Sequence, residues 1–94
     1  MPVDKTRPQS VSLRAILARN LRVARSIANL KQEQAAGLLG VIPNTISEWE
    51  RGKFQPTMQK LELIADVYDV PVWLLLKPDG LKPPSALHAP AEVA

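Results

Sequence analysis

The chain has 94 residues, 46% of them hydrophobic, a formal net charge of +3 and no cysteine. That length allows one domain with a compact core; the missing cysteines exclude disulfides and thiolate metal sites, and without an apolar run of about 18 residues no membrane span is expected. Charge is unevenly spread: residues 14–53 carry seven basic and three acidic groups and residues 54–94 three and five, which makes the first half the candidate face for a polyanion.

Residues 1–11 are polar, contain Pro2 and Pro8, and lack the apolar centre of a signal peptide; they read as a flexible arm. Ser12 is placed to cap a first helix starting near Leu13. Along it Leu13, Ile16, Leu17, Leu21, Ala24 and Ala28 fall in one arc at about 100° per residue, with Arg14 and Arg25 at its borders and Arg19 and Arg22 facing away. Asn29 suits the turn that ends it. Gln32 to Leu39 forms a short second helix, with Ala35, Ala36, Leu38 and Leu39 as apolar contacts, and Gly40 closes it because glycine tolerates positive φ. Pro43 occupies the first position of a third helix, where its missing N–H costs nothing. That helix runs to about Arg51 and stops at Gly52. Thr57 caps a fourth helix, in which Leu61, Ile64, Ala65 and Tyr68 follow the i, i+3, i+4, i+7 pattern, and Asp69 ends it. Pro71 opens a fifth, almost wholly apolar segment, Val72 to Leu76. From residue 78 to residue 94 proline and alanine dominate without an amphipathic period, so a disordered tail is expected, and the lone His88 falls in it as a solvated side chain. The fold class is all-α, five helices between residues 12 and 77.

Two short helices joined by a glycine turn are a helix-turn-helix candidate. Leu30, Gln32, Glu33, Ala36, Leu39-Gly40-Val41, Ile46-Ser47, Trp49-Glu50, Gly52-Lys53 and Pro56, followed by Ile64-Ala65 and Trp73-Leu74-Leu75, resemble the phage repressor and Cro family of helix-turn-helix domains, the xenobiotic-response-element type. The resemblance covers residues 13–77 with uninterrupted spacing. It implies a compact lambda-repressor-like domain and a small bacterial or phage transcription regulator that lays the third helix in the major groove of double-stranded DNA. The chain departs from the family pattern in three places. Lys31 and Ile42 stand where the family has Ser or Thr caps, and Asp69 stands where it often has glycine.

Taking Ile46 as the inward reference on the third helix and stepping about 100° per residue, Trp49 and Glu50 both fall within about 60° of it and face inward. Ser47, Arg51, Asn44 and Glu48 fall about 100° or more away and point outward, and Thr45 sits on the opposite flank. The two glutamates therefore differ in role. Glu50 borders the core and needs a cationic partner; Arg25, at the edge of the first helix's arc, is the best placed, and the resemblance implies the same pair. Glu48 shares the outward face with Asn44. Asparagine binds adenine bidentately, glutamate accepts from cytosine N4, and Thr45 suits a thymine methyl or a phosphate. Asn44, Thr45, Ser47 and Glu48 are the expected base contacts. Gln32 resembles the family's phosphate-contacting glutamine, and Lys31, Arg51, Lys53 and Arg22 flank the same surface as expected backbone contacts.

Trp73, Leu75 and Leu76 form an apolar cluster that so small a domain is not expected to bury, which points to a homodimer on a near-palindromic operator. A second reading is the antitoxin of a toxin–antitoxin pair, binding a partner protein through the C-terminal region. No nucleophile–base set, metal cluster or phosphate loop is present, so neither enzymatic activity nor a cofactor is expected. A DNA regulator without a membrane span is expected in the cytoplasm, at the nucleoid.

Overall fold

Four of the five helices end in one capping device. The computed structural model describes residues 12–83; the expected arm at residues 1–11 and most of the expected tail, including His88, lie outside them. The helices are α1 (Leu13–Ile27), α2 (Gln32–Leu39), α3 (Pro43–Glu50), α4 (Met58–Tyr68) and α5 (Val72–Leu75). After α1, α2, α3 and α4 comes one left-handed residue, respectively Asn29, Gly40, Gly52 and Asp69, with φ between 61° and 75°. The following N–H then reaches back to a carbonyl in the last turn: Leu30 to Arg25, Val41 to Ala36, Lys53 to Glu48 and Val70 to Ala65, at 3.0–3.1 Å. These are Schellman motifs, which satisfy carbonyls the helix leaves open. Asn29 and Asp69 hold the conformation without being glycine, a modest backbone strain.

The N-termini are more varied. Ser12 Oγ accepts from Ala15 N–H and Thr57 Oγ1 from Lys60 N–H, both at 3.1 Å, as their positions predict. Ile42 offers no side-chain cap to α3, whose first residue is Pro43. At α2 the Gln34 side chain accepts from the Lys31 backbone N–H at 2.8 Å. This supplies the glutamine half of a capping box without a hydroxyl partner.

The core combines Leu17, Leu21, Val23 and Ala24 of α1 with Ala35, Ala36 and Leu39 of α2, Ile46 and Trp49 of α3, Leu61, Ile64, Ala65 and Tyr68 of α4, and Leu75 of α5. Three expectations need correction. Leu13 and Leu38, read as core contacts, are each 58% exposed and take no part in the core cluster. The folded unit also does not end at Lys77. Leu81 returns to the core at 7% exposure, carried by a turn in which Gly80 lies so close to the Leu74 carbonyl that an added Cβ would stand 2.9 Å from it. Finally Leu75, expected on an association surface, is 0% exposed. It is buried where α5 packs on α1 and α4, and the one-turn helix turns Trp73 outward instead.

The seam is closed by Asn20, which is fully buried. Its Nδ2 donates to the carbonyls of Leu75 and Lys77 at 2.9 Å and lies 3.4 Å from that of Leu74, so one amide gathers the open carbonyls at the end of α5 onto α1. Lys60 does the same for α2, with Nζ donating to Leu39 O at 3.1 Å.

Candidate nucleic-acid interface

The inward half of α3 holds it against the core. Ile46 is 1% and Trp49 8% exposed, matching the helical phasing. Glu50 meets Arg25 as predicted: Arg25 Nε lies 2.6 Å from Glu50 Oε2 and Nη2 3.1 Å from Oε1, a two-point contact. It is the one ion pair among the described residues, with side-chain exposures of 15% for Arg25 and 6% for Glu50. Arg25 Nη1 also donates to the Leu30 carbonyl at 2.8 Å, joining the end of α1 to the start of the helix-turn-helix. The hydrogen bond to Glu50 raises the Arg25 pKa despite burial. Tyr68 lies within the field of this pair; burial first, and the Glu50 charge second, push its hydroxyl up to about 12. Glu50 is thus compensated inside the fold and presents little net charge to a polyanion.

Gln32 belongs to the same network. Its Nε2 donates to Glu50 Oε1 at 3.1 Å, so the half-buried side chain carries a structural bond in addition to the phosphate role expected of it. One amide hydrogen remains for an oxyanion at the start of α2, where the helix dipole also favours negative charge. Exposed Lys31 stands immediately before it.

The outward half of α3 carries Asn44 exposed, with Thr45, Ser47 and Glu48 half-buried around it. Asn44 Nδ2 donates to Glu48 Oε2 at 3.3 Å, one helical turn away. That bond orients the amide of Asn44 and leaves its Oδ1 and second N–H without an intramolecular partner, the two groups that the expected adenine contact needs. Glu48 acquires a positioning role that its sequence position alone did not reveal. Arg51 and Lys53 are both exposed where α3 ends, and Lys53 Nζ stands 5.7 Å from the Phe54 ring centre, a weak cation–π contact. Arg22 is exposed on α1, and Trp73 is 62% exposed on α5 beside half-buried Leu76. The expected base contacts all lie on α3, the expected backbone contacts lie on α1, at the start of α2 and just after α3, and Trp73 and Leu76 lie on and just after α5. Sequence reasoning missed Asn20, Lys60 and Leu81. Only Asn20 left a signal, since it falls inside the apolar arc of α1, where a polar side chain requires a partner.

A helix-turn-helix family model matches residues 19–72. The chain is similar to the HTH-type transcriptional regulator PrtR of Pseudomonas aeruginosa, at 42% identity over 57 residues, which are 61% of this chain and 22% of PrtR. It is also similar to the control protein C.SmaI of Serratia marcescens, at 36% identity over 72 residues, covering 77% of this chain and 86% of that protein. Among solved structures, the clp gene regulator ClgR of Corynebacterium glutamicum superposes with a TM-score of 0.67 at 26% identity over 87% of this chain and 85% of that one. The hypothetical transcription factor NHTF from Neisseria superposes with a TM-score of 0.66 at 31% identity over 71% and 75%.

Proposed function

The chain belongs to the helix-turn-helix family, whose model spans residues 19–72, and on that premise we propose that it is a sequence-specific DNA-binding transcription regulator, a repressor acting as a dimer on a near-palindromic operator. One observation carries the reading: α3 directs Asn44, Ser47 and Glu48 outward while its other carboxylate, Glu50, is neutralised within the fold by Arg25. In this reading Asn44, Glu48, Ser47 and Thr45 meet base edges. Gln32, Lys31, Arg51, Lys53 and Arg22 hold phosphates on either side. None of the described helices is long and apolar enough to cross a membrane, in keeping with a regulator that works on the chromosome in the cytoplasm.

Selection of bound duplexes from a random pool tests the proposal. An inverted repeat with half-sites about 10 base pairs apart, or a multiple of that, is the expected product; no enrichment at low salt would overturn it. The dimer draws its support from Trp73, whose indole is 62% exposed on α5 in a protein that buries its other tryptophan. Sedimentation should show Trp73→Ala weakening self-association. A parent that stays monomeric with and without operator, and binds a different protein through Trp73, would favour the antitoxin reading.

A further inference from the structure

A cleft of about 350 Å³ lies between the first half of α1 and the end of α3. Its walls are Arg14, Arg19, Arg22 and Arg51, and its floor is Ala15, Ala18 and Gly52. The sequence builds it with two ridges of α1. Arg14, Ala18 and Arg22 follow at i, i+4, i+8, and Ala15, Arg19 and Arg22 at i, i+4, i+7, so small side chains alternate with guanidinium groups on one face. Gly52 keeps the far wall low, with its missing Cβ only 3.6 Å from that of Ala18. Arg19 is held in place by a 2.9 Å bond from Nη1 to Asn20 Oδ1, and Asn20 is itself anchored to α5. Glu50 is the single carboxylate on the cleft, and it is already engaged by Arg25.

Among the described residues no carboxylate lies within ion-pair distance of any of these four arginines. Like charges one turn apart on a helix disfavour it slightly, and the four arginines that line this hollow have no paired carboxylate among the described residues. We infer that the cleft is a phosphodiester site: it takes the backbone of the duplex strand that runs past the end of α3, and it extends the DNA contact surface onto α1 through Arg14 and Arg19. Arg51 belongs both to the cleft and to the outward side of α3, so a strand leaving the reading face meets the cleft next. Arg14 and Arg22 are eight residues apart, about 12 Å along the helix axis. Successive nucleotides of one strand advance about 3.4 Å along the duplex axis, so that length is enough for two separate phosphates. Guanidinium forks suit phosphate oxygens better than ammonium groups do.

The inference rests on DNA binding, so the experiment reads both. Binding isotherms are taken over a salt series on the preferred duplex, on a scrambled duplex, and on a preferred duplex trimmed of its flanks. For the double substitution Arg14→Gln with Arg19→Gln, the two residues that the cleft adds to the contact surface, the slope of log K against log salt should fall by about two units on the long duplex, and affinity by about ten- to a hundredfold at moderate salt. The preference for the chosen sequence should persist, because phosphate contacts carry no sequence information. On the trimmed duplex, parent and variant should converge, and Arg14→Lys with Arg19→Lys should restore most of the slope. An unchanged slope with sequence preference intact overturns the cleft assignment alone; failure of the parent to prefer any duplex overturns both readings. Thermal stabilisation of the parent by inorganic phosphate, combined with an unchanged DNA slope in the double variant, would show that the cleft serves a free anion and would likewise overturn the duplex assignment.

Discussion

Replacing Arg25 by alanine should be among the most damaging single changes in the chain. The guanidinium makes three bonds at once: two to Glu50 at 2.6 and 3.1 Å and one to the Leu30 carbonyl at 2.8 Å. Its removal leaves a carboxylate of 6% exposure with the Gln32 amide as its remaining donor. Breaking a buried pair by deleting one partner costs about 3–5 kcal/mol. Gln32 still donates, and 15% of the Arg25 side chain is exposed, so the lower end, about 3 kcal/mol, is expected. For a domain of this size, total stability is on the order of 4–11 kcal/mol, and such a loss lowers Tm by roughly 12–24 °C. Urea unfolding followed by circular dichroism measures it directly. The double change Arg25→Met with Glu50→Leu removes both charges and should recover much of the loss, since an apolar pair of similar volume carries no uncompensated charge. If Arg25→Ala unfolds within about 0.5 kcal/mol of the parent, the value of an ordinary surface change, then Glu50 is solvated in solution and the reasoning fails.

Asn44→Ala should cost about 1–3 kcal/mol on the preferred duplex and relax the preference at one base pair, whereas Glu48→Gln should raise affinity for scrambled DNA by removing an outward negative charge while leaving an acceptor for Asn44; competition binding on the two duplexes separates them. Tyr68 adds a pH dependence. Its folded pKa of about 12 exceeds the ordinary value of 10, so the folded state holds its proton more tightly, and the associated stability is complete below pH 10 and lost as pH rises through about 12. Stability of the parent should therefore fall more steeply across that window than that of Tyr68→Phe, as read by denaturation at each pH, and equal slopes would contradict the burial. Asp69→Gly should stabilise the fold by up to about 1 kcal/mol, because φ of 61° is strained for aspartate and free for glycine; a destabilised variant in thermal melts would mean that the Asp69 side chain does more than tolerate the turn.

Helix boundaries were legible in the sequence because they depend on a few adjacent residues. Ser12 and Thr57 cap, Pro43 initiates, and Asn29, Gly40, Gly52 and Asp69 terminate, each through bonds closed within one turn. The Arg25–Glu50 pair was legible for a related reason. Helical phase places Glu50 at the edge of the core, a buried carboxylate requires a cation, and the first helix has an arginine at the matching border. Phase likewise turned Asn44 and Glu48 outward, although not the bond between them, which depends on rotamers. Tertiary packing decided what no local rule reaches. The one-turn α5 has too few residues to define an apolar face, so only its docking on α1 and α4 could bury Leu75 and expose Trp73. Asn20 finds its acceptors 54 to 57 residues away, and Lys60 finds Leu39 across the bundle. Leu81 follows a proline, an aspartate and a glycine that give no period, yet it joins the core cluster at 7% exposure. The arginines of α1 look like one solvated stripe in the sequence. They become a walled cleft only where α3 ends beside Ala18, at the separation that Gly52 permits.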